Sequence, residues 1–193
     1  MSEDSINFTW AYRVTTSDDS SIEDRKAAFR LWGELAAKGY IRSTFYLGVC
    51  FDNDFGTRKN RRKAFDAFCI AARDGHSEAQ YNLYQMYRRG VGTEKDLKKA
   101  LHWLKKAASQ QEVEAIRDLG YCYHEGVGVK ANHMRTAALY RRAAKAGDPM
   151  AQWNLALCYR DAHGVKHSDR WSMYWMHKAA SNGHENASAY LAR

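Results

Sequence analysis

The chain reads as all-α, built from short helix pairs stacked one on the next, and three observations carry that prediction. Identities recur every 36 residues without a gap. Within each period, two segments carry apolar residues at helical spacing and are separated by a glycine-bearing turn. A favoured helix-capping residue opens the second segment of every period.

The columns are explicit. Ala36, Ala72, Ala108, Ala144 and Ala180 form one, and Leu47, Leu83, Leu119, Leu155 and Leu191 a second. Gly56, Gly92, Gly128 and Gly164 form a third; Gly39, Gly75, Gly147 and Gly183 form a fourth, with Gln111 in the missing place. The segments AQYNLYQMYR (79–88) and AQWNLALCYR (151–160) agree at six of ten positions.

Taken in order, residues 1–22 are a degenerate N-terminal cap in which INFTWAYRV alternates apolar and polar in the manner of a strand. Residues 24–39 fit the second helix of a partial repeat, and complete copies follow at 40–75, 76–111, 112–147 and 148–183. Residues 184–193 supply only a first helix, a C-terminal cap. In the clearest copy the first helix spans Ser77 to Arg89, with Ala79, Leu83, Met86 and Tyr87 on one face. GVGT at 90–93 ends it, because glycine supplies the positive φ that a helix C-terminus and tight turn require. The second helix starts after Asp96 and runs to about Ser109, with Leu101, Leu104, Ala107 and Ala108 inward. Asp24, Asn60, Asp96, Asn132 and Ser168 are the expected caps of the second helices, and Asp148-Pro149 opens a first helix. A single helix pair cannot bury its apolar face alone, so the copies must stack.

Composition excludes several classes. Apolar residues at 45% and aromatics at 13% supply a core, and a single Pro argues against a loop-rich β fold. No run of 18 apolar residues offers a membrane span, and MSEDSINF lacks the basic and apolar regions of a secretory signal, so the chain reads as cytoplasmic. Cys50, Cys122 and Cys158 share a column with Met86, as small buried hydrophobes would, and with Cys69 they form no CxxC pair. Phosphate-loop, HExxH, GxSxG and dinucleotide fingerprints are all missing, so neither an enzyme nor a cofactor is expected. His163 and His167 flank Gly164 in a turn, which argues against a helical metal pair. His76 and His184, each following a repeat glycine, are expected to open helices.

The segment GHSEAQYNLYQMYRRGVGTEKDLKKALHWLKKAASQ (75–110) resembles Sel1-like repeats, 36-residue relatives of tetratricopeptide repeats, through AxxxL, Tyr87, the GxG at 90–92, Asp96, Lys99-Ala100 and the terminal alanine pair. The resemblance covers roughly residues 24–193 and implies a right-handed α-solenoid whose concave surface, lined by first helices, binds a partner protein or peptide. It also implies adaptor or scaffold roles, among them immunity or adaptor proteins of bacterial toxin and secretion systems. Two departures stand out: the family favours Gly after the column Leu, as at Gly48 and Gly120, but Tyr84 and Ala156 stand in the other copies. The Tyr84 ring is expected either to spread the helices or to point outward. A disulfide-stapled branch linked to penicillin binding does not match these cysteines, so that activity is not carried over.

By tetratricopeptide analogy the concave stripe is Phe45, Tyr81, Arg117 and Trp153, flanked by Val49, Gln85, Tyr121 and Leu157. Arg88, His124 and Arg160 give it mixed polarity beside Arg89, Glu125 and Asp161. Aromatic and Arg side chains anchor interfaces, but the same side chains also serve to pack one repeat on the next. A net charge of +8 and the basic run Arg58, Lys59, Arg61, Arg62, Lys63 keep a second reading open, a nucleic-acid-associated protein using basic surface patches. A monomer is expected.

Overall fold

A computed structural model describes residues 2–192, which form eleven α-helices and no strand. They are α1 (Glu3–Thr16), α2 (Ile22–Ala37), α3 (Ile41–Asn53), α4 (Arg61–Arg73), α5 (Ser77–Arg89) and α6 (Leu97–Ser109). Then follow α7 (Val113–Glu125), α8 (His133–Lys145), α9 (Pro149–Arg160), α10 (Asp169–Ser181) and α11 (Glu185–Leu191). The chain divides into two compact units, Met1–Trp103 and Leu104–Arg193, with the boundary inside α6.

Caps set the starts of the second helices. Asn60 and Asn132 accept from the N–H groups of Lys63 (3.0 Å) and Arg135 (2.9 Å), while Asp96 and Ser168 accept from Lys99 (2.9 Å) and Trp171 (3.3 Å). Each satisfies a donor that the helix itself leaves unpaired, for about 1 kcal/mol. Asp24 is the exception to the expected series. There α2 begins a turn earlier: Ser21 is the cap, accepting from the Asp24 N–H, and its hydroxyl donates to the Asp24 carboxylate at 2.8 Å. Asp24 thus sits in the first turn, bonded to the cap residue and not itself the cap.

The strand-like reading of INFTWAYRV is overturned, because α1 is a helix capped by Ser2. Its two buried residues explain why. Ala11 and Val14 lie 36 residues before Leu47 and Cys50, so α1 is a first helix in register with the others. The alternating Ile6, Phe8 and Trp10 misled because burial does not select them all: Ile6 remains exposed. Against α1 packs Trp32 of α2, fully buried, stacked on Tyr46 at 4.7 Å and donating its indole N–H to Thr15 at 2.9 Å. Burying an aromatic of this size removes about 150–250 Å² from water, roughly 4–6 kcal/mol as an upper bound.

In the first unit a second core joins α3, α4 and α5 through Phe45, Phe68, Ala72, Leu83 and Met86. In the second unit Leu119, Tyr140, Ala144, Leu155, Cys158 and Met176 are buried in the corresponding places. The small residue after the column Leu answers a ring twenty positions on. A Cβ on Gly48 would lie 2.7 Å from the Phe68 ring, and one on Gly120 would lie 2.8 Å from the Tyr140 ring. Tyr84 corrects the outward alternative: its side chain is buried, tilted against Tyr81 at 5.7 Å and covered by the Arg88 guanidinium at 5.6 Å.

All four cysteines are free thiols, with Cys50, Cys122 and Cys158 buried. Burial pushes the Cys50 thiol up to about 12 and Cys158 up to about 11, so neither offers a thiolate. They act as core hydrophobes.

The turn glycines have a steric cause. Gly56, Gly92 and Gly164 have φ between +67 and +72, and a Cβ on any of them would overlap the backbone carbonyl of Arg25, Arg61 or His133, each 31 residues earlier. Gly75 differs: its φ is +97, but nothing lies within 4 Å of the Cβ position. Gly92→Ala should therefore lose about 2–4 kcal/mol, overlap added to left-handed strain, whereas Gly75→Ala should lose only about 1–2 kcal/mol. Urea unfolding of the two variants checks the ordering, and equal losses would mean that the close approach carries no energy.

Candidate functional site: the column residues of the first helices

In the first unit, Phe45 does not line a surface. It is 4% exposed, stacked on the His76 imidazole at 4.3 Å and packed against Tyr46 and Phe68. The structure therefore removes it from the binding stripe, because His76, Tyr46 and Phe68 together cover its ring. Val49 is half-buried. On α5, Tyr81, Gln85 and Arg88 form a polar ladder along one helix face. Gln85 Nε2 donates to the Tyr81 hydroxyl at 2.8 Å, and Arg88 donates to Gln85 Oε1 at 3.4 Å. The Arg88 Nε is buried with no hydrogen-bond partner, a donor of the kind that an incoming acceptor would satisfy.

In the second unit the column contributes Arg117 and Trp153. Arg117 bridges Asp118 at 3.0 Å and Asp148 at 2.9 Å, with less than a fifth of each side chain exposed, so it ties α7 to the start of α9. Trp153 stacks on His184 at 5.0 Å and 14°, and its edge meets Tyr190 at 6.4 Å. Tyr121 is different: it is 46% exposed on α7, an aromatic ring left in water. Leu157 and His124 are half-buried. Arg160 is exposed but held by Asp161 at 2.8 and 2.9 Å, which raises the Arg160 pKa and lowers that of Asp161.

A rule unites these contacts. The column residue meets the helix-opening residue 31 positions on: Phe45 with His76, Arg117 with Asp148, Trp153 with His184. The opening residues also cap. Nδ1 of His76 and of His184 accepts from the N–H of Ala79 (3.4 Å) and Ala187 (3.3 Å), and Asp148 accepts from Ala151. The expectation that both histidines open helices is met.

Sequence reading missed two kinds of residue. Gln80 and Gln152 are buried and donate to the Ala72 and Ala144 carbonyls at 3.1 and 3.0 Å, fastening each first helix to the preceding second helix. Tyr190 joins Trp153 at the last helix, and its column carried a readable signal: Asn82, Asp118 and Asn154 inside, with the aromatics Trp10, Tyr46 and Tyr190 toward the ends. The basic residues Arg58, Lys59, Arg61, Arg62 and Lys63 are all exposed around the start of α4. Arg62 lies 3.4 Å from Asp66, and Lys63 lies over the Phe51 ring at 5.4 Å.

Helix pairs of fixed period, joined by glycine turns and presenting polar and aromatic side chains on their first helices, define an α-solenoid repeat protein. The Sel1 repeat model matches residues 41–76, 77–112, 113–148 and 149–184, and the chain belongs to that family. Such repeats are generally protein-interaction scaffolds and typically non-catalytic. A Sel1 repeat protein from Oxalobacter formigenes is 28% identical, with a TM-score of 0.84 over 96% of this chain and 73% of that one. A protective antigen present in uropathogenic Escherichia coli, displaying the same repeat fold, is 27% identical with a TM-score of 0.86; it is matched over 95% of this chain, which spans 39% of that one. An immunity protein from Pseudomonas aeruginosa shares the fold at 20% identity and a TM-score of 0.66, over 98% of this chain and 69% of that one. No curated protein matches the chain. Among the described residues no helix is long and apolar enough to cross a membrane.

The His76 cap carries a pH signature. Burial, the largest cause, lowers its pKa below the ordinary 6.5, with Arg42 adding to the effect and Glu78 opposing it. The unfolded chain thus binds the proton more readily. The stabilising contribution is complete above 6.5 and is lost as pH falls through the lowered folded value. His76→Asn keeps a capping acceptor without a titrating ring. The wild type should lose more stability than this variant on going from neutral to mildly acidic pH, measured by urea unfolding. Parallel pH slopes would exclude His76 as the source.

Proposed function

We propose that this chain is a non-catalytic adaptor that holds a partner protein or peptide on the stripe of side chains its first helices carry. In the second unit the contact residues are Arg117, Tyr121, His124, Trp153, Leu157 and Arg160; in the first they are Val49, Tyr81, Gln85 and Arg88. The observation that carries the reading is Tyr121, 46% exposed on a helix whose neighbouring column residues are engaged in packing. Exposed Tyr beside Arg is the composition of interface anchors, and the charge of +8 favours an acidic partner. In its finer form the protein acts in the cytoplasm, as a monomer, as an immunity or adaptor protein for a bacterial toxin or secretion system. The shared fold with Pseudomonas immunity proteins motivates that form and does not carry it.

A second reading, nucleic-acid association, rests on the five exposed basic residues near α4. Retention on DNA should then fall steeply with salt and without sequence preference.

Tyr121→Ala and Arg160→Ala test the first reading, since both side chains are exposed and the fold does not depend on them. Together they should weaken capture of the cognate partner by at least about tenfold in a quantitative pull-down, as loss of interface anchors does. Undiminished capture by the folded double variant would place the interface elsewhere.

A further inference from the structure

Three histidines meet in the second unit, drawn from three separate segments. His124 lies in the last turn of α7, His133 is the first residue of α8, and His163 precedes Gly164 in the turn between α9 and α10. Their ring centroids are 5.7 Å (His124 to His133), 5.8 Å (His124 to His163) and 5.1 Å (His133 to His163) apart. The close backbone approach of Gly164 to the His133 carbonyl forces the last two together.

Packing does not demand histidine at these places. In the other copies the position of His124 holds Asp52, Arg88 and Arg160, that of His133 holds Arg25, Arg61, Leu97 and Asp169, and that of His163 holds Phe55, Val91 and Val127. The same juncture in the first unit sets the Arg25 guanidinium over the Phe55 ring at 5.5 Å. The repeat geometry thus brings these positions together whatever they carry, and at this one juncture between successive copies all are imidazoles. A second observation points to a ligand. His124 Nδ1 is buried and has no hydrogen-bond partner, although a buried polar atom is nearly always paired.

We propose that His124, His133 and His163 bind one divalent cation of the Zn2+ class. Three imidazoles on a tetrahedral Zn2+ hold their nitrogens at about 2.0–2.1 Å, which spaces the ring centres about 5 Å apart. The observed triangle already has nearly that size. The rings are not yet aimed at one point: His133 and His163 lie within 18° of parallel, and no set of three ligands converges among the described residues. Both are exposed side chains on the surface, so rotation about χ1 and χ2 turns a nitrogen of each toward His124. The Glu125 carboxylate, 3.6 Å from His124 Nε2, would hold that ring's other nitrogen while Nδ1 faces the metal. Imidazole donors select Zn2+, Ni2+ or Cu2+ over Mg2+ and Ca2+. Binding would clip the α9–α10 turn onto α7 and α8.

Calorimetric titration of the metal-stripped full chain with Zn2+ should show a single saturable site. His133→Ala and His163→Ala should each weaken it at least about tenfold, since even outer-shell changes to a metal site weaken binding 10–100-fold. His167→Ala should leave it unchanged, because that ring is turned to the Arg160 carbonyl at 2.8 Å. Co2+ in place of Zn2+ should give the visible absorption of a tetrahedral site in wild type and lose it in both variants. Circular dichroism of the metal-free variants controls for folding, and both substitutions fall on exposed side chains. Absence of saturable binding, or binding equal in wild type and the His133→Ala/His163→Ala double variant, would overturn the proposal. Octahedral Co2+ spectra unaffected by either substitution would do the same.

Discussion

The structure depends on one close contact, repeated: the turn after a first helix lies directly on the opening of the preceding second helix. At Gly56, Gly92 and Gly164 the two backbones come so near that no Cβ fits. Backbone against backbone is a register device, because it fixes the position of the chain without consulting any side chain. Once that contact is made, the cap residue four positions downstream is held where its side chain meets the first N–H groups of the next helix. The 36-residue period is therefore a spatial repeat before it is a sequence repeat. Side chains elsewhere in the unit are free to differ as long as they fill the volume left between fixed helices.

That freedom shows at the second joint, the meeting of a column residue with the helix opening 31 positions later. An aromatic stack serves for Phe45 and His76, a mostly buried ion pair for Arg117 and Asp148, and an indole over imidazole for Trp153 and His184. These are not interchangeable in energy. A partly buried ion pair pays desolvation that a stack avoids, and removing one partner would strand the other. They are alike in geometry, for each partner also caps the helix it opens, so losing it would free a helix end as well as a contact.

How far the sequence could be read follows from the same division. Features that every copy needs were legible: the helix pairs, the turn glycines, the capping residues Asn60, Asp96, Asn132 and Ser168, and the cysteines as packing residues. α1 was not, because Ala11 replaces the column Leu, Val14 the column Cys, and Ser20 stands in the turn-glycine column. Without those marks, the accidental alternation around Phe8 and Trp10 was the strongest local pattern, although tertiary packing chose the helix. Asp24 was placed in a cap series it had left, since Ser21 took the role one turn earlier. Phe45 and Tyr84 show the other limit. Periodicity names the column a side chain belongs to, but whether a ring in that column is covered depends on the size of neighbours that periodicity does not constrain.

The residues that depart from the repeat are therefore the ones that carry information about function. A residue present in every copy is explained by the stacking, and no partner is needed to account for it. Tyr121 stands where the neighbouring copies place Val49, Gln85 and Leu157, and it leaves its ring in water at a place where burial was available to other side chains. The histidine triangle departs at three positions together, and those positions are distant in sequence and adjacent in space. Stacking tolerates each of these substitutions without asking for any, so their meeting at one juncture between two successive copies is what a bound ligand would account for. In a repeat protein the scaffold can be read from what recurs, and the specificity has to be sought in what fails to.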